Sequence, residues 1–174
     1  MTQKDYVALC KENKKEEIIA FNKKLVEEYP FLLPRNRFSD KVVEDYDYSF
    51  TEMDSMPDGW RIAFGDDLLR ELKEDLVKHN FLDKYRIIQI KEKWGGLRWY
   101  DNGCPRDSKV FEITGKYEDL SYKYCIGCGS SKVVTVRDWY GPLCQNCLDE
   151  MNARMESYRT RTNEILDENS GEKG

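Results

Sequence analysis

The stretch CIGCGSSKVVTVRDWYGPLCQNC, residues 125–147, holds four of the chain's six cysteines. They form two Cys-x-x-Cys pairs that are separated by fifteen residues. Two intervening residues let the chain curl back so that both sulfurs of a pair reach one ion, and a structural zinc site takes four such donors in a tetrahedron. The spacing therefore predicts one Zn²⁺ ion bound by Cys125, Cys128, Cys144 and Cys147.

The residues between the two pairs predict the fold around this ion. The fifteen residues between the pairs suffice for a β-hairpin. Gly141 and Pro142 then break its second strand and place Cys144 at the N-terminus of a helix. This order of knuckle, hairpin and helix resembles the treble-clef type of zinc finger. Four thiolates leave no open position for water or substrate, so the predicted zinc is structural. A redox or disulfide pair is the alternative for these cysteines.

The composition is typical of a soluble globular protein. The chain has 174 residues, of which 40% are hydrophobic and 35% are charged, enough for a packed core with a well-solvated exterior. No window reaches the roughly twenty apolar residues of a membrane span, and the first residues lack the apolar run of a signal peptide. We therefore expect a cytoplasmic protein whose thiols stay reduced, which favours metal binding over disulfides.

Hydrophobic periodicity predicts helices in the first half of the chain. Apolar residues at spacings of three and four predict a helix over residues 3–29. A leucine stripe predicts a second helix over 66–79, with Asp66 or Asp67 as its N-terminal cap and Asn80 as its terminator.

The second half combines strands with helices. A β-rich run, a Gly-Gly turn and a second β-rich run predict a hairpin over residues 84–100. Residues 109–114 are predicted to add a strand, and residues 115–124 a short helix. The whole pattern predicts an α+β fold, with an N-terminal helix, a small antiparallel sheet with a flanking helix, and a C-terminal treble-clef-like finger ending in a long helix. The predicted domains are an α+β domain (1–120), a zinc-finger module (121–166) and a disordered tail (167–174).

An acidic segment lies between the first two predicted helices. Residues 40–58 carry seven acidic residues against Lys41 alone. Tyr46, Tyr48 and Phe50 alternate with polar residues, which predicts a short strand inside the segment. Acidic residues interleaved with aromatic ones suit a surface that binds a basic partner, although a merely solvated loop is the simpler interpretation. The candidate partner-binding residues are Glu44, Asp45, Asp47, Glu52 and Asp54.

The predicted hairpin has the opposite charge. Residues 84–100 carry five basic residues against Glu92 alone. Basic side chains beside aromatic rings suit nucleic acid, because the rings stack on bases and the cations bind phosphates. The alternative interpretation buries the tryptophans in the core and leaves the basic residues at its rim. The candidate nucleic-acid-binding residues are Arg86, Lys91, Lys93, Trp94 and Arg98.

Three stretches carry a resemblance to known proteins: MPDGWRIAFGDDLLRELKEDL, YRIIQIKEKWGGLRWYDNG, and the finger SYKYCIGCG…GPLCQNC. Over residues 55–150 the chain resembles accessory proteins of phages and prophages of Gram-positive bacteria, and among these a zinc-containing type II-A anti-CRISPR. The resemblance implies a phage-encoded protein in the host bacterial cytoplasm that binds the Cas9 effector stoichiometrically. It requires no enzymatic activity, but some anti-CRISPRs are enzymes, so an enzyme stays open.

Two further functions stay open from the sequence. The first is a nucleic-acid or nucleotide-binding protein that uses the basic hairpin. The second is a hydrolase of a nucleic acid or a defence signal, for which Asp66, Asp67 and Cys104 are the candidate residues. The single histidine, His79, is predicted to end a helix rather than to act as a base, and Cys10 is predicted to be buried.

Overall fold

The computed structural model describes residues 1–36, 39–135 and 141–171, and in the last helix it describes side chains up to residue 162. The helices are α1 (Gln3–Lys11), α2 (Lys15–Glu28), α3 (Asp58–Lys78), α4 (Val110–Ser121) and α5 (Gln145–Gly171). The strands are β1 (Ile87–Lys93), β2 (Gly96–Asp101), β3 (Val133–Thr135) and β4 (Leu143–Cys144), and short 3-10 turns cover Pro30–Leu32 and Glu52–Ser55. None of the described helices is long and apolar enough to cross a membrane.

Helix α3 is the centre of the core. The predicted leucine stripe is fully buried, and the helix ends at Lys78 with Asn80 in a left-handed conformation (φ 52°), as the sequence predicts. The predicted start is wrong, because α3 begins at Asp58 and adds the buried Trp60 to its apolar face. Asp66 therefore lies inside α3 and caps another helix: its carboxylate oxygens accept the backbone N–H of Gln3, each at 3.1 Å.

The predicted single helix over residues 3–29 is two helices. Asn13 adopts a left-handed conformation (φ 55°) between α1 and α2, which ends the first helix and lets the chain reverse. The two helices then pack on each other, with the Tyr6 and Phe21 ring centroids 5.1 Å apart. The apolar residues at spacings of three and four begin at Ile18, within α2, and the break falls in the polar stretch 11–17, which carries no helix-stop signal such as proline or glycine.

The predicted hairpin is confirmed as the β1–β2 sheet. The two strands pair antiparallel, with Ile90 opposite Trp99 and Lys91 opposite Arg98. The turn lies one residue earlier than the Gly-Gly pair predicts: Trp94 (φ 57°) and Gly95 (φ 75°) form it. Both central residues have positive φ, which is the requirement of a two-residue type I′ turn.

Two predicted strands are wrong. Residues 110–114 lie in helix α4 rather than in a strand, and Lys109 caps it, because the segment packs against α3 and the Lys109 N–H donates to the Asp75 carboxylate at 3.0 Å. Residues 46–50 form a loop, since Tyr48 has a left-handed conformation (φ 65°) that no extended strand tolerates. The helix predicted over 115–124 is confirmed as far as Ser121, as the continuation of α4, with Tyr117 buried.

The described residues thus form an α+β fold of five helices and two small antiparallel sheets, with the cysteine cluster beside the long C-terminal helix. Helix α4 packs between α3 and β2, and β1 packs on the 3-10 turn Glu52–Ser55. The second sheet, β3–β4, belongs to the cysteine-rich part of the chain. The division into domains stays a prediction, and residues 172–174 of the predicted tail lie outside the described residues.

Candidate metal centre

The four cysteines of the two Cys-x-x-Cys pairs converge on one point. The sulfurs of Cys125, Cys128, Cys144 and Cys147 all lie within 4.8 Å of one another, and those of Cys128 and Cys144 are 3.6 Å apart. A tetrahedron with zinc–sulfur bonds of about 2.3 Å has edges of about 3.8 Å. The cluster is therefore of the right size and donor set for one structural zinc ion.

The first pair sits in a tight knuckle. The Gly129 N–H donates to the Cys125 carbonyl at 2.9 Å, and the Cys125 N–H donates to the Ser130 carbonyl at 2.8 Å. Gly129 has φ 78°, a conformation that suits glycine and closes the turn. The Ile126 N–H donates to the Pro142 carbonyl at 2.8 Å, which ties the knuckle to the segment that carries the second pair.

The second pair sits where β4 passes into α5. Cys144 is the last residue of β4, and Cys147 lies in the first turn of α5. Strand β4 is held against β3 by the Thr135 hydroxyl, which accepts the Leu143 N–H at 2.9 Å and donates to the Gly141 carbonyl at 2.7 Å. The loop of the predicted hairpin, residues 136–140, lies outside the described residues.

The electrostatics of the cluster favour a bound cation. Burial raises the pKa of the Cys125 thiol, but backbone hydrogen bonds at Cys144, Cys128 and Gly127 outweigh burial and bring that pKa to about 7. Burial and the neighbouring thiols raise the pKa of Cys147. Four thiols packed this closely cannot all ionise without a counter-charge, so a divalent cation that displaces their protons is the natural occupant.

The donor set is closed. Cys125 and Cys144 are buried, Cys147 is half-buried and Cys128 is exposed at the rim. Among the described residues, no histidine, aspartate or glutamate joins the four sulfurs. Four thiolates complete a tetrahedron, so an ion held here has no position left for a substrate. Such a site braces the fold and performs no Lewis-acid chemistry.

The knuckle is locked onto the start of α3. The Gly59 N–H donates to the Ile126 carbonyl at 2.9 Å, and the Trp60 indole N–H donates to the Tyr124 carbonyl at 3.1 Å. A Cβ atom on Gly59 would lie only 2.1 Å from the Cys125 carbonyl oxygen. The metal centre and the main core are therefore built into each other. The sequence offers one sign of this contact. Gly59 lies in the first turn of α3, although glycine is a poor helix former.

The acidic candidates divide into two groups. Asp54 lies at the edge of the core, with its side chain 27% exposed: it accepts from the Arg61 guanidinium at 2.7 Å and from the Tyr6 hydroxyl. Arg61 is only 2% exposed and lies over the Tyr6 ring, so Asp54 neutralises a buried charge. The sequence pattern misses Arg61, because nothing local distinguishes it from a surface arginine.

The remaining acidic candidates lie at the surface. Glu44, Asp45 and Asp47 are exposed in the loop before the 3-10 turn, and Glu52 is half-buried. Asp45 has a left-handed conformation (φ 56°), and Asp47 accepts the Ser49 N–H at 2.9 Å in a local turn.

The basic candidates also divide. Arg86 and Arg98 each donate to a neighbouring backbone carbonyl at 2.7 Å, and Arg98 also contacts the Tyr122 hydroxyl at 3.2 Å. The Lys91 ammonium lies 5.1 Å from the centre of the Tyr100 ring. Lys93 and Trp94 are exposed at the tip of the hairpin.

The residues considered for catalysis have structural positions. His79 caps α3, with Nδ1 2.8 Å from the Asp75 carbonyl oxygen. Asp67 forms an ion pair with Arg70 at 2.7 Å. Cys104 is half-buried against the main core, whereas Cys10 is exposed, contrary to the prediction that it is buried.

Fold and site together define the chain as a small α+β protein with a four-cysteine cluster suited to one structural zinc ion. Comparisons with known proteins find no match: no family model, no curated protein and no solved structure is significantly similar to the chain.

Proposed function

We propose that the protein is a zinc-stabilised binding protein that presents its acidic aromatic loop, residues 42–50, to a basic surface of another protein. The main support for this proposal is the surface of the loop, where exposed carboxylates lie beside exposed apolar side chains on an anchored backbone. The four-sulfur donor set supports the same function. It gives the metal a structural role, so we expect the protein to act by binding a partner through its surface.

Contacts within the protein fix the shape of the acidic aromatic loop. The Tyr46 ring packs against the rings of Tyr48 and Phe50, with centroids 4.7 and 5.7 Å away. The buried Asn22 side chain donates to the Tyr48 carbonyl at 2.9 Å and anchors the loop to α2. A loop that is ordered before binding loses less conformational entropy in a complex, which favours affinity.

The surface chemistry of the loop matches a protein interface. Phe50 is 44% exposed, and Val42 and Val43 are exposed to a similar degree. An apolar centre with a charged rim is the usual anatomy of a specific interface. Glu44, Asp45 and Asp47 supply a negative rim, which steers a positively charged partner into contact.

The particular partner we propose is a Cas9-type effector. Such an effector holds its nucleic acids in a positively charged channel, which is the kind of surface that an acidic loop fits. The resemblance of the chain to a type II-A anti-CRISPR supports this choice. The protein would then be phage-encoded, act in the host bacterial cytoplasm, and inhibit the effector by stoichiometric binding.

Matched charge variants test the loop. The loop variant Glu44→Gln, Asp45→Asn, Asp47→Asn removes three charges, while asparagine preserves the left-handed position and the local turn. The control variant Glu27→Gln, Glu112→Gln, Asp119→Asn removes three exposed charges elsewhere on the surface. Both variants change the net charge of −5 by the same amount.

The assay is capture of purified Cas9, with and without guide RNA, by the immobilised protein at several salt concentrations. We expect salt-sensitive binding that the loop variant weakens about tenfold or more and that the control variant leaves within about twofold. Equal weakening by both variants would contradict a role for the loop. If Cas9 is captured neither with nor without guide RNA, Cas9 is refuted as the partner.

A further inference from the structure

The β1–β2 hairpin has an outer face whose chemistry differs from that of the acidic aromatic loop. Residues directly opposite each other in an antiparallel pair share a face. Lys91 pairs with Arg98, and Gln89 pairs with Tyr100, while Leu97 and Trp99 point into the core. The outer face therefore carries basic side chains and an aromatic ring on a protein whose net charge is −5.

The turn of the hairpin displays a tryptophan. Trp94 is 74% exposed and holds a left-handed conformation that asparagine or glycine adopts far more easily. The turn is rigid, since the Gly95 N–H donates to the Glu92 carboxylate at 2.6 Å and Gly95 is buried. A large ring that stays in water at a strained position contributes little to folding, and it is free to contact a ligand.

The charge arrangement on the outer face is also unfavourable for folding alone. Lys91 and Arg98 are like charges directly opposite each other, a pairing that destabilises a sheet. Glu118 offsets this in part, because its carboxylate forms an ion pair with Arg98 at 3.9 Å and also accepts the Trp99 N–H at 3.1 Å. Lys93 is exposed beside Trp94 and forms no ion pair among the described residues.

We infer that this outer face binds single-stranded nucleic acid, with Trp94 as the stacking platform for a base and Lys91, Lys93 and Arg98 as the phosphate contacts. Every base offers a face for stacking, so such a site binds with little sequence preference. Tyr100 supplies a second ring, and its strand partner Gln89 lies five positions before Trp94, which sets the distance between the two rings along the hairpin. That distance is about 17 Å, several times the spacing of stacked nucleotides, so one strand spans both rings.

The test measures binding of dye-labelled oligothymidylate and oligouridylate by fluorescence anisotropy, together with quenching of tryptophan fluorescence, at low salt. We expect both single strands to bind, with the tighter of the two identifying the natural class, and a duplex of the same length to bind more weakly. Trp94→Asn should reduce affinity about 5- to 150-fold and abolish the quenching. This variant suits the turn, so the hairpin still folds.

Two controls separate stacking and phosphate contacts from general effects. Phe111→Ala removes another highly exposed ring and should leave binding unchanged. A plot of log affinity against log salt has a negative slope. The double variant Lys91→Gln, Lys93→Gln should make that slope shallower by about 1.4, whereas the double variant Lys4→Gln, Lys24→Gln should leave it unchanged.

The inference is overturned if neither single strand binds at low salt, if the duplex binds equally well, or if Trp94→Asn binds like the wild type. It is also overturned if Trp94→Asn abolishes capture of a protein partner while no oligonucleotide binds. The acidic-loop variant described above should still bind oligonucleotide, so the two proposals fail independently.

Discussion

The contact between Gly59 and the metal-binding knuckle makes a specific prediction about stability. A methyl group at residue 59 would place a Cβ atom 2.1 Å from the Cys125 carbonyl oxygen and 2.6 Å from the Ile126 carbonyl oxygen. Both neighbours are backbone atoms, so no side chain can rotate out of the way. Gly59→Ala must therefore push the knuckle away from α3.

The expected size of the effect follows from what this separation disturbs. Overpacking a tight contact costs about 1–3 kcal/mol. The displacement also breaks or stretches the hydrogen bond from the Gly59 N–H to the Ile126 carbonyl, worth about 0.5–1.5 kcal/mol. We expect Gly59→Ala to lower the free energy of unfolding by about 2–4 kcal/mol, or the melting temperature by roughly 5–15 °C for a chain of this size.

Urea unfolding followed by circular dichroism measures this effect, and a colorimetric chelator measures the rate of zinc release. Gly115→Ala is the matched control: residue 115 lies inside α4, and a Cβ atom there meets nothing within 4 Å. The control should stabilise the protein by up to about 1 kcal/mol, because alanine is the better helix former. Zinc release should accelerate in Gly59→Ala and stay unchanged in the control.

The reasoning is refuted if Gly59→Ala unfolds within about 0.5 kcal/mol of the wild type. That result would mean that the knuckle does not rest on α3. A loss of stability with unchanged zinc release would also contradict the interlock, because the same displacement has to move Cys125.

Three further perturbations have defined outcomes. Cys144→Ser should abolish stoichiometric zinc binding and remove hydrogen-exchange protection over the cysteine-rich segment, since metal affinity is folding free energy at such sites. Asp54→Ala should destabilise the protein by about 3 kcal/mol in urea unfolding, because it removes the carboxylate that neutralises the buried Arg61 at 2.7 Å and leaves only the neutral Gln3 as its partner. Burial raises the pKa of Glu71, but hydrogen bonds, first of all from Lys116, outweigh burial and hold that pKa below the usual 4.5. Its contribution to stability is therefore present at neutral pH and is lost as the pH falls below about 4.5, so the destabilisation by Glu71→Gln, under about 1 kcal/mol, should shrink in acid.

The features that local sequence signals encode were predictable. The spacing of the two Cys-x-x-Cys pairs predicts the sulfur cluster, since chain geometry alone brings each pair onto one ion. The leucine stripe predicts the buried face of α3, and the Gly-Gly pair predicts the hairpin to within one residue. In each case the residues that decide the structure are close together along the chain.

The features that depend on distant contacts were not predictable. Residues 109–114 favour a strand by composition, yet they form a helix because the capping contact to Asp75 and the packing on α3 come from far along the chain. The interlock of Gly59 with the knuckle joins residues more than sixty positions apart. Asp54 lies only seven positions from Arg61, yet it looks like any other acidic residue of its segment, because the burial of Arg61 depends on packing by the rest of the chain.

The central claim is that a single metal ion, fully enclosed by sulfur, braces the fold. Elemental analysis combined with X-ray absorption at the zinc edge, on protein purified without added metal, tests it most directly. We predict one zinc per chain with four sulfur neighbours at about 2.3 Å and no oxygen or nitrogen bound to the ion. A folded protein without zinc, or a zinc ion with a bound water or carboxylate, would contradict the account.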